Sequence, residues 1–449
     1  SPFSNESDSI ISKNPNASLI LKNDPEYNNL IYNKANSEFD ICCRSEQPKP
    51  TISKTPKIPQ FYKENFENGL KTIFSESNEV PKVYLRLKIN GGSLLEDEKK
   101  AGLASFTAQM MNESTINNSS EDISVELQKL GSTVNFSSEG QTTTLYIECL
   151  TEKLTPTLNI VKEKLFLPAF NQDDFKRVKK SNLEGLESMK KNAQYLAQNS
   201  MSKVLFGNSP MGWNMNKKSI KKIKLKDIKT FYNNYSPNVS ELVIVGNVKK
   251  EVIYKELDFL KKWENKNINI PSDYNFPKVK PTQIYLVNKE GATQSLILMG
   301  HKSDTYDATG EFFKSRIMNN SLGGGASGRL FLNLREDKGY TYGAYSSFRG
   351  SKNYGIFAIQ TSVKTEVTDS SLVEIFNILE DYTNNGITEK ELTSTKNSYL
   401  NSASLKYETP NQKIGFLNRI LTYDLESSFI KKQSEILNTI SLNEVNQIA

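Results

Sequence analysis

Two stretches of this chain follow one plan, and that repetition constrains the fold more than any other feature. Residues 126–165, ELQKLGSTVNFSSEGQTTTLYIECLTEKLTPTLNIVKEKL, and residues 333–379, NLREDKGYTYGAYSSFRGSKNYGIFAIQTSVKTEVTDSSLVEIFNIL, read alike. In each, a helix closes at a glycine, an aromatic-rich strand follows, a glycine turn (Gly140, Gly355) leads to a second strand, and another helix ends the unit. The closing glycines, Gly131 and Gly339, stand 208 positions apart. That offset predicts two homologous α+β domains instead of one large core. Pro271, Pro277 and Pro281 punctuate the chain between them. The reading is an extended arm over 1–58, an N-terminal domain over 59–265, a linker over 266–282 and a C-terminal domain over 283–449. Each domain should run strand, strand, helix, helix, strand, strand, helices, the order of an antiparallel sheet with helices packed on one face. Two such halves facing each other enclose a concave space, a common place for a binding site.

Local signals agree. Asn68-Gly69 predicts a turn before the strand NGLKTIF, and Val83, Leu85, Leu87 and Ile89 alternate along PKVYLRLKI as in a half-buried strand. In AGLASFTAQMMNES, residues 101–114, Leu103, Phe106, Met110 and Met111 recur at helical spacing. Residues 1–58 are rich in Asn, Ser, Lys and Pro, and Pro48, Pro50, Pro56 and Pro59 favour an extended path.

Composition excludes several classes. With 37% apolar residues and no apolar run near the ~18 needed to cross a bilayer, no transmembrane segment is expected. The net charge of +6 is spread widely except at Lys217, Lys218, Lys221, Lys222, Lys224, Lys226 and Lys229. These lack the interleaved aromatics of a nucleic-acid surface and read as a solvated face, so no nucleic-acid partner is expected. Cys42, Cys43 and Cys149 form neither a disulfide framework nor a CxxC metal site, and read as free thiols. The opening SPFSNESDSIISKNPN shows no basic start and no apolar core of a targeting peptide.

The segment LGGGASGRLFLNLREDKGYTYGAYS, residues 322–346, resembles the pitrilysin and insulinase class of zinc metallopeptidases. Within it the likeness is to the half-clam type that includes mitochondrial processing peptidase and bacterial two-subunit relatives. INGGSLLEDEKKAGLA, LGSTVNF and YSPNVSELVIVGNV extend the likeness, in the right order, from about Asn68 onward. The resemblance implies a clam-shell chamber and an H-x-x-E-H motif on the helix after AGLA: two imidazole ligands one turn apart, with a Glu between them that activates zinc-bound water. Here those positions hold Ser105, Ala108 and Gln109. The family's third ligand, a Glu, falls near Gly185, where the neighbouring Glu184 reads as a surface residue. One histidine in 449 residues, His301, cannot rebuild a two-imidazole site. It reads as an ordinary strand-end histidine, and no metal is expected in this chain.

Other family features persist. An Arg and a Tyr seven residues apart, which in active members reach across the chamber toward substrate at the metal, match Arg335 and Tyr342. Guanidinium offers forked donors to a carbonyl or carboxylate, and a phenol can donate to an oxyanion. The plain alternative has Arg335 paired with Glu336 or Asp337 and Tyr342 packed in the sheet. The run Gly323, Gly324, Gly325 matches the Gly-rich loop that contacts substrate in noncatalytic subunits, or is a simple helix-to-helix turn. It is no phosphate loop, because GGGASGR lacks G-K-[ST]. Tyr232, Tyr235 and Pro237 match a family packing segment.

The resulting expectation is a noncatalytic subunit of a heterodimeric zinc peptidase. Its homologous partner carries the zinc, its substrate is an extended peptide, and this chain has no cofactor of its own. The alternative is a nonenzymatic structural or scaffold subunit of a larger envelope or respiratory complex. A peptide-binding chaperone is a third reading. REDKGYTYGAYSS favours a bacterial periplasm or cell envelope over a mitochondrial matrix.

Overall fold

The computed structural model describes residues 58–278 and 281–448. The arm expected over 1–58, apart from its last residue, and Cys42 and Cys43 lie outside them. Strands β1 (Tyr62–Asn65), β2 (Lys71–Glu76) and β3 (Lys82–Asn90) lead into helices α1 (Leu103–Met111) and α2 (Ser120–Leu130). There follow β4 (Thr133–Glu139), β5 (Thr142–Leu150), α3 (Leu154–Phe166), α4 (Gln172–Met189), α5 (Ala193–Phe206), α6 (Lys217–Lys222), α7 (Leu225–Tyr232), β6 (Ser240–Gly246) and α8 (Lys250–Glu256). The later part holds β7 (Gln294–Ser303), α9 (Glu311–Gly323), α10 (Arg329–Phe331), β8 (Thr341–Gly350), β9 (Gly355–Lys364), α11 (Thr368–Asn385), α12 (Glu389–Asn401), α13 (Pro410–Tyr423), α14 (Phe429–Thr439) and α15 (Leu442–Asn446).

The first sheet has six strands in the order β1-β2-β6-β3-β5-β4. Its ladders are antiparallel except for β2 beside β6, which run parallel. Strict alternation in β3 sends Val83, Leu85, Leu87 and Ile89 into a core shared with Phe106 and Met110 of α1 and Leu158 and Val161 of α3. Gly69 takes the left-handed backbone (φ 94°) that its turn requires, and Gly131 closes α2 the same way (φ 60°).

β6 is buried along its whole length because its second face is covered as well. That cover is α13, whose Ile414, Phe416, Leu417, Ile420 and Leu421 are buried on Ile73, Val243 and Val245. At roughly 1.5–3 kcal/mol per fully buried large apolar side chain, this contact contributes substantially to joining the two halves. Polar ties reinforce it: Lys413 Nζ reaches Glu79 at 2.7 Å, and Lys88 Nζ donates to Thr422 at 2.7 Å.

The second sheet has three strands in the order β7-β9-β8, all antiparallel. Its core gathers Ile317 and Leu322 of α9, Ile359 and Val363 of β9, and Ile375 of α11. The exchange of helices is reciprocal, since α5 lies on β7, with Met201 against Gly300. One element departs from the expected plan. The expected order opens the second half with two strands, but among the described residues only β7 forms ahead of α9, and residues 283–287 join no ladder and are exposed.

Candidate functional site

Helix α1 carries the positions of the family's zinc motif, and it is held at both ends. Gly102 starts it in a left-handed conformation (φ 99°), and the Glu96 carboxylate accepts from Gly102 N at 2.9 Å and Ala104 N at 2.7 Å. Burial pushes the Glu96 carboxyl up to about 7, against the pull of those two amides. At the other end, Lys164 of α3 donates Nζ to Asn112 O at 2.7 Å, and burial pushes its ammonium down to about 8. Acid at the N-terminus and base at the C-terminus both complement the helix dipole. Asn112 adds a two-way link to β4, accepting from Phe136 N at 2.7 Å and donating to Phe136 O at 2.8 Å.

Between these clamps, Ser105 and Gln109 lie one turn apart and half-buried, while Ala108 is fully buried. Gln109 faces α4, where it exchanges hydrogen bonds with Asn182: Asn182 Nδ2 donates to Gln109 Oε1 at 2.8 Å, and Gln109 Nε2 donates to Asn182 Oδ1 at 3.2 Å. Asn182 Nδ2 also donates to Val178 O at 2.9 Å. The amide pair uses each carboxamide oxygen internally. A hydroxyl, a methyl and two carboxamides offer none of the imidazole, thiolate or carboxylate ligands that zinc takes, so this helix pair does not fit the metal. Among the described residues no three His, Cys, Asp or Glu side chains come together as a metal site.

Asn182 is the α4 residue that the sequence reading missed. Spacing from the motif pointed to Gly185, and its neighbour Glu184 stands in solvent beside Lys180, the surface residue that the sequence reading made it. The signal was the helical period. Asp174, Phe175, Val178, Asn182 and Leu186 form the buried stripe of α4, and neither Glu184 nor Gly185 belongs to it.

Arg335 sits on a single π-turn, Leu332–Asp337, that continues α10. Its guanidinium stacks over Phe331 at 4.8 Å and meets Glu336 Oε1 at 3.4 Å, the pairing named in the plain alternative. Tyr342 does not pack in the sheet: it is 88% exposed. It lies at a register shift between Thr341 and Ala344, where Thr341 Oγ1 accepts from Gly343 N at 3.1 Å. Such a bulge re-aims side chains away from the ladder. No described contact joins Arg335 or Tyr342 to Ser105, Ala108 or Gln109.

The glycine run ends α9, and none of its members has a positive φ. Gly323 is required for a different reason than backbone freedom. A Cβ there would come within 2.5 Å of Ser346 Oγ on β8, and Gly328 backs onto Gly323. Gly325 faces open space, so only the tip of the loop is free to meet a ligand. Behind the loop, Arg329 grips Glu391 through Nε at 2.7 Å and Nη2 at 2.8 Å, and Asp381 through Nη1 at 2.8 Å. His301 is exposed on β7 and stacks on Phe357. Tyr232 and Tyr235 serve packing, with Tyr232 Oη donating to Leu165 O at 2.6 Å. All seven lysines between 217 and 229 are exposed. Cys149 is buried.

Comparison with known proteins matches this geometry. A family model described as "Insulinase (Peptidase family M16)" matches residues 72–217, and one described as "Peptidase M16 inactive domain" matches residues 222–399. The chain is 26% identical over 379 residues to a "Non-peptidase homolog YmxG" of Helicobacter pylori, covering 83% of this chain and 87% of that one. A Helicobacter pylori protease of known structure superposes with a TM-score of 0.80 at 18% identity, over 87% of this chain and 96% of the other. A Pseudomonas fluorescens structure described as a peptidase M16 inactive domain gives 0.76 at 23% identity, over 87% and 94%. Both structures share the fold of two α+β halves seen here. With its two halves and its zinc-motif helix occupied by Ser105, Ala108 and Gln109, the chain belongs to the insulinase, or M16, peptidase family as a homologue without the metal ligands.

Proposed function

We propose that this chain is the noncatalytic subunit of a two-chain zinc peptidase, pairing with a homologous H-x-x-E-H chain to enclose and cut extended peptides. One observation carries the reading. The metal half of the site is closed by the Gln109–Asn182 amide pair, while Tyr342 stands 88% exposed and Arg335 is held only by a surface pair and a ring face. An exposed phenol and a half-exposed guanidinium are available to a peptide carbonyl or to an oxyanion forming at a partner's zinc. The tip of the Gly323–Gly325 loop is the proposed second contact with substrate. The bacterial periplasm or cell envelope is the proposed compartment.

The test is capture of the chain from its source, followed by turnover assays of the captured pair. An H-x-x-E-H chain should appear at near 1:1 ratio, and Arg335→Ala or Tyr342→Phe in this chain should lower kcat by ~10-fold or more. Unchanged turnover in both variants rejects the reading. Capture of large machinery without a zinc-bearing homologue favours the scaffold alternative.

A further inference from the structure

Helix α13 commits one face, with Ile414, Leu417 and Leu421, to the apolar cluster on β6. The face turned away carries Gln412, Gly415 and Arg419 on successive turns. Together with Ser402, Leu405 and Lys406, from the segment between α12 and α13, these three line an open cavity of about 340 Å³. Lys406 Nζ lies over the Tyr399 ring at 5.6 Å, and Tyr399 Oη donates to Arg316 O of α9 at 3.1 Å, so a third cation borders the cavity.

Two features of this cavity cost stability without repayment from the protein. The first is charge. Elsewhere the chain compensates such cations: Arg329 holds Glu391 and Asp381, and Lys413 holds Glu79. Here no described carboxylate pairs with Arg316, Lys406 or Arg419, and Arg419 Nε is buried without an acceptor. Asp307, which faces Tyr306 beside Arg419, accepts from Thr309 N at 2.9 Å and pairs with neither arginine. Burial pushes the phenols of Tyr306, Tyr407 and Tyr423 up, so none of these neighbours of Arg419 supplies an anion. Packing around the Lys406 ammonium, and then the Arg316 and Arg419 guanidinia, hold it below the usual lysine range. The second feature is Gly415. Glycine in a helix interior is less stable than alanine, yet nothing lies within 4 Å of where a Cβ at Gly415 would stand, and its φ is not positive. Neither packing nor backbone geometry requires a glycine there. Local rules broken at one place, with no gain inside the fold, mark a place kept for a ligand.

We propose that this cavity binds a phosphoryl oxyanion, with Lys406, Arg419 and Arg316 supplying the charge, Ser402 and Gln412 the neutral donors, and the bare backbone of Gly415 the room. Three cations call for more than the single charge of a carboxylate. A guanidinium offers forked donors to two phosphate oxygens, and an ammonium acts on them as a point charge. Bound phosphate also removes the repulsion among the three, so ligand binding and stability rise together. This inference stands apart from the proposed peptidase role.

Calorimetric titration of the full chain with inorganic triphosphate tests it, and binding should saturate. Lys406→Gln and Arg419→Gln should each weaken binding about tenfold. Gly415→Leu should weaken it as much with no change of charge, whereas Lys221→Gln with Lys222→Gln, in the other basic run, should leave it unaltered. Without ligand, Lys406→Gln should melt no lower than the parent, which separates lost binding from lost folding. Acetylation mapped by mass spectrometry locates the ligand: triphosphate should protect Lys406 and not Lys221. Phosphatidylcholine vesicles containing phosphatidic acid distinguish the source of the group. Capture of the parent but not of Arg419→Gln assigns a lipid headgroup, and triphosphate binding without capture assigns a soluble phosphate. The inference is overturned if neither probe binds, if Lys406→Gln, Arg419→Gln and Gly415→Leu all bind as tightly as the parent, or if Lys406 is protected no more than Lys221.

Discussion

At Gln109 and Asn182, each carboxamide satisfies the other in a half-buried helix interface. Removing one leaves the other without its partner, which costs about 1–3 kcal/mol, whereas replacing both with apolar groups is close to neutral. Thermal melting should therefore show Gln109→Ala and Asn182→Ala each clearly destabilised, and the Gln109→Leu/Asn182→Leu pair nearly restored. The same geometry makes the lost site recoverable. Ser105→His with Gln109→His puts two imidazoles one turn apart, and adding Asn182→Glu supplies a carboxylate from the facing helix. Metal analysis should find close to one zinc per chain in the triple variant and far less when Asn182 is kept. Were position 185, to which the spacing pointed, the facing one, Asn182→Glu would add nothing. Ser105, Ala108 and Gln109 were legible because flanking residues fix their register. Asn182 was not, because a spacing carried over from relatives tolerates a shift of a few residues that a helix face does not.

At the scale of elements, α1 is held by a buried carboxylate and a buried ammonium, and these give its stability a pH signature. Glu96 titrates at about 7 in the fold against an ordinary 4.5, so between those values the native state keeps a proton that the unfolded chain has released. Stability from this group accordingly falls as pH rises from 4.5 to 7, by up to about 3 kcal/mol. Lys164 titrates at about 8 against an ordinary 10.5, so between 8 and 10.5 the unfolded chain holds the extra proton and stability rises with pH. Melting temperatures of the Glu96→Gln variant should lose the parent's decline between pH 5 and pH 7; an unchanged profile would contradict this assignment. The elements themselves were well marked in the sequence. Alternation named β3, helical spacing named α1, and Gly131 closes α2 where expected. The expected pair of strands at the head of the second half is reduced to β7 among the described residues, because a strand needs a neighbour to pair with, and sequence pattern cannot supply one. The clamps were invisible for a related reason, since Glu96 and Lys164 are ordinary charged residues until tertiary contacts bury them.

For the whole molecule, the duplication foretold two α+β halves but not how they are joined. Each half gives a helix to the other's sheet, α13 to the first and α5 to the second, so the third apolar cluster draws on both. That exchange depends on contacts between distant segments, which no local period records. The central claim is chemical: the helix pair that grips zinc in active relatives here presents a hydroxyl, a methyl and two carboxamides. Its most direct test is hydrolysis of an extended peptide by the purified chain alone, with and without a chelator. The account predicts no turnover above background in either case, and chelator-sensitive cleavage by the lone chain would contradict it.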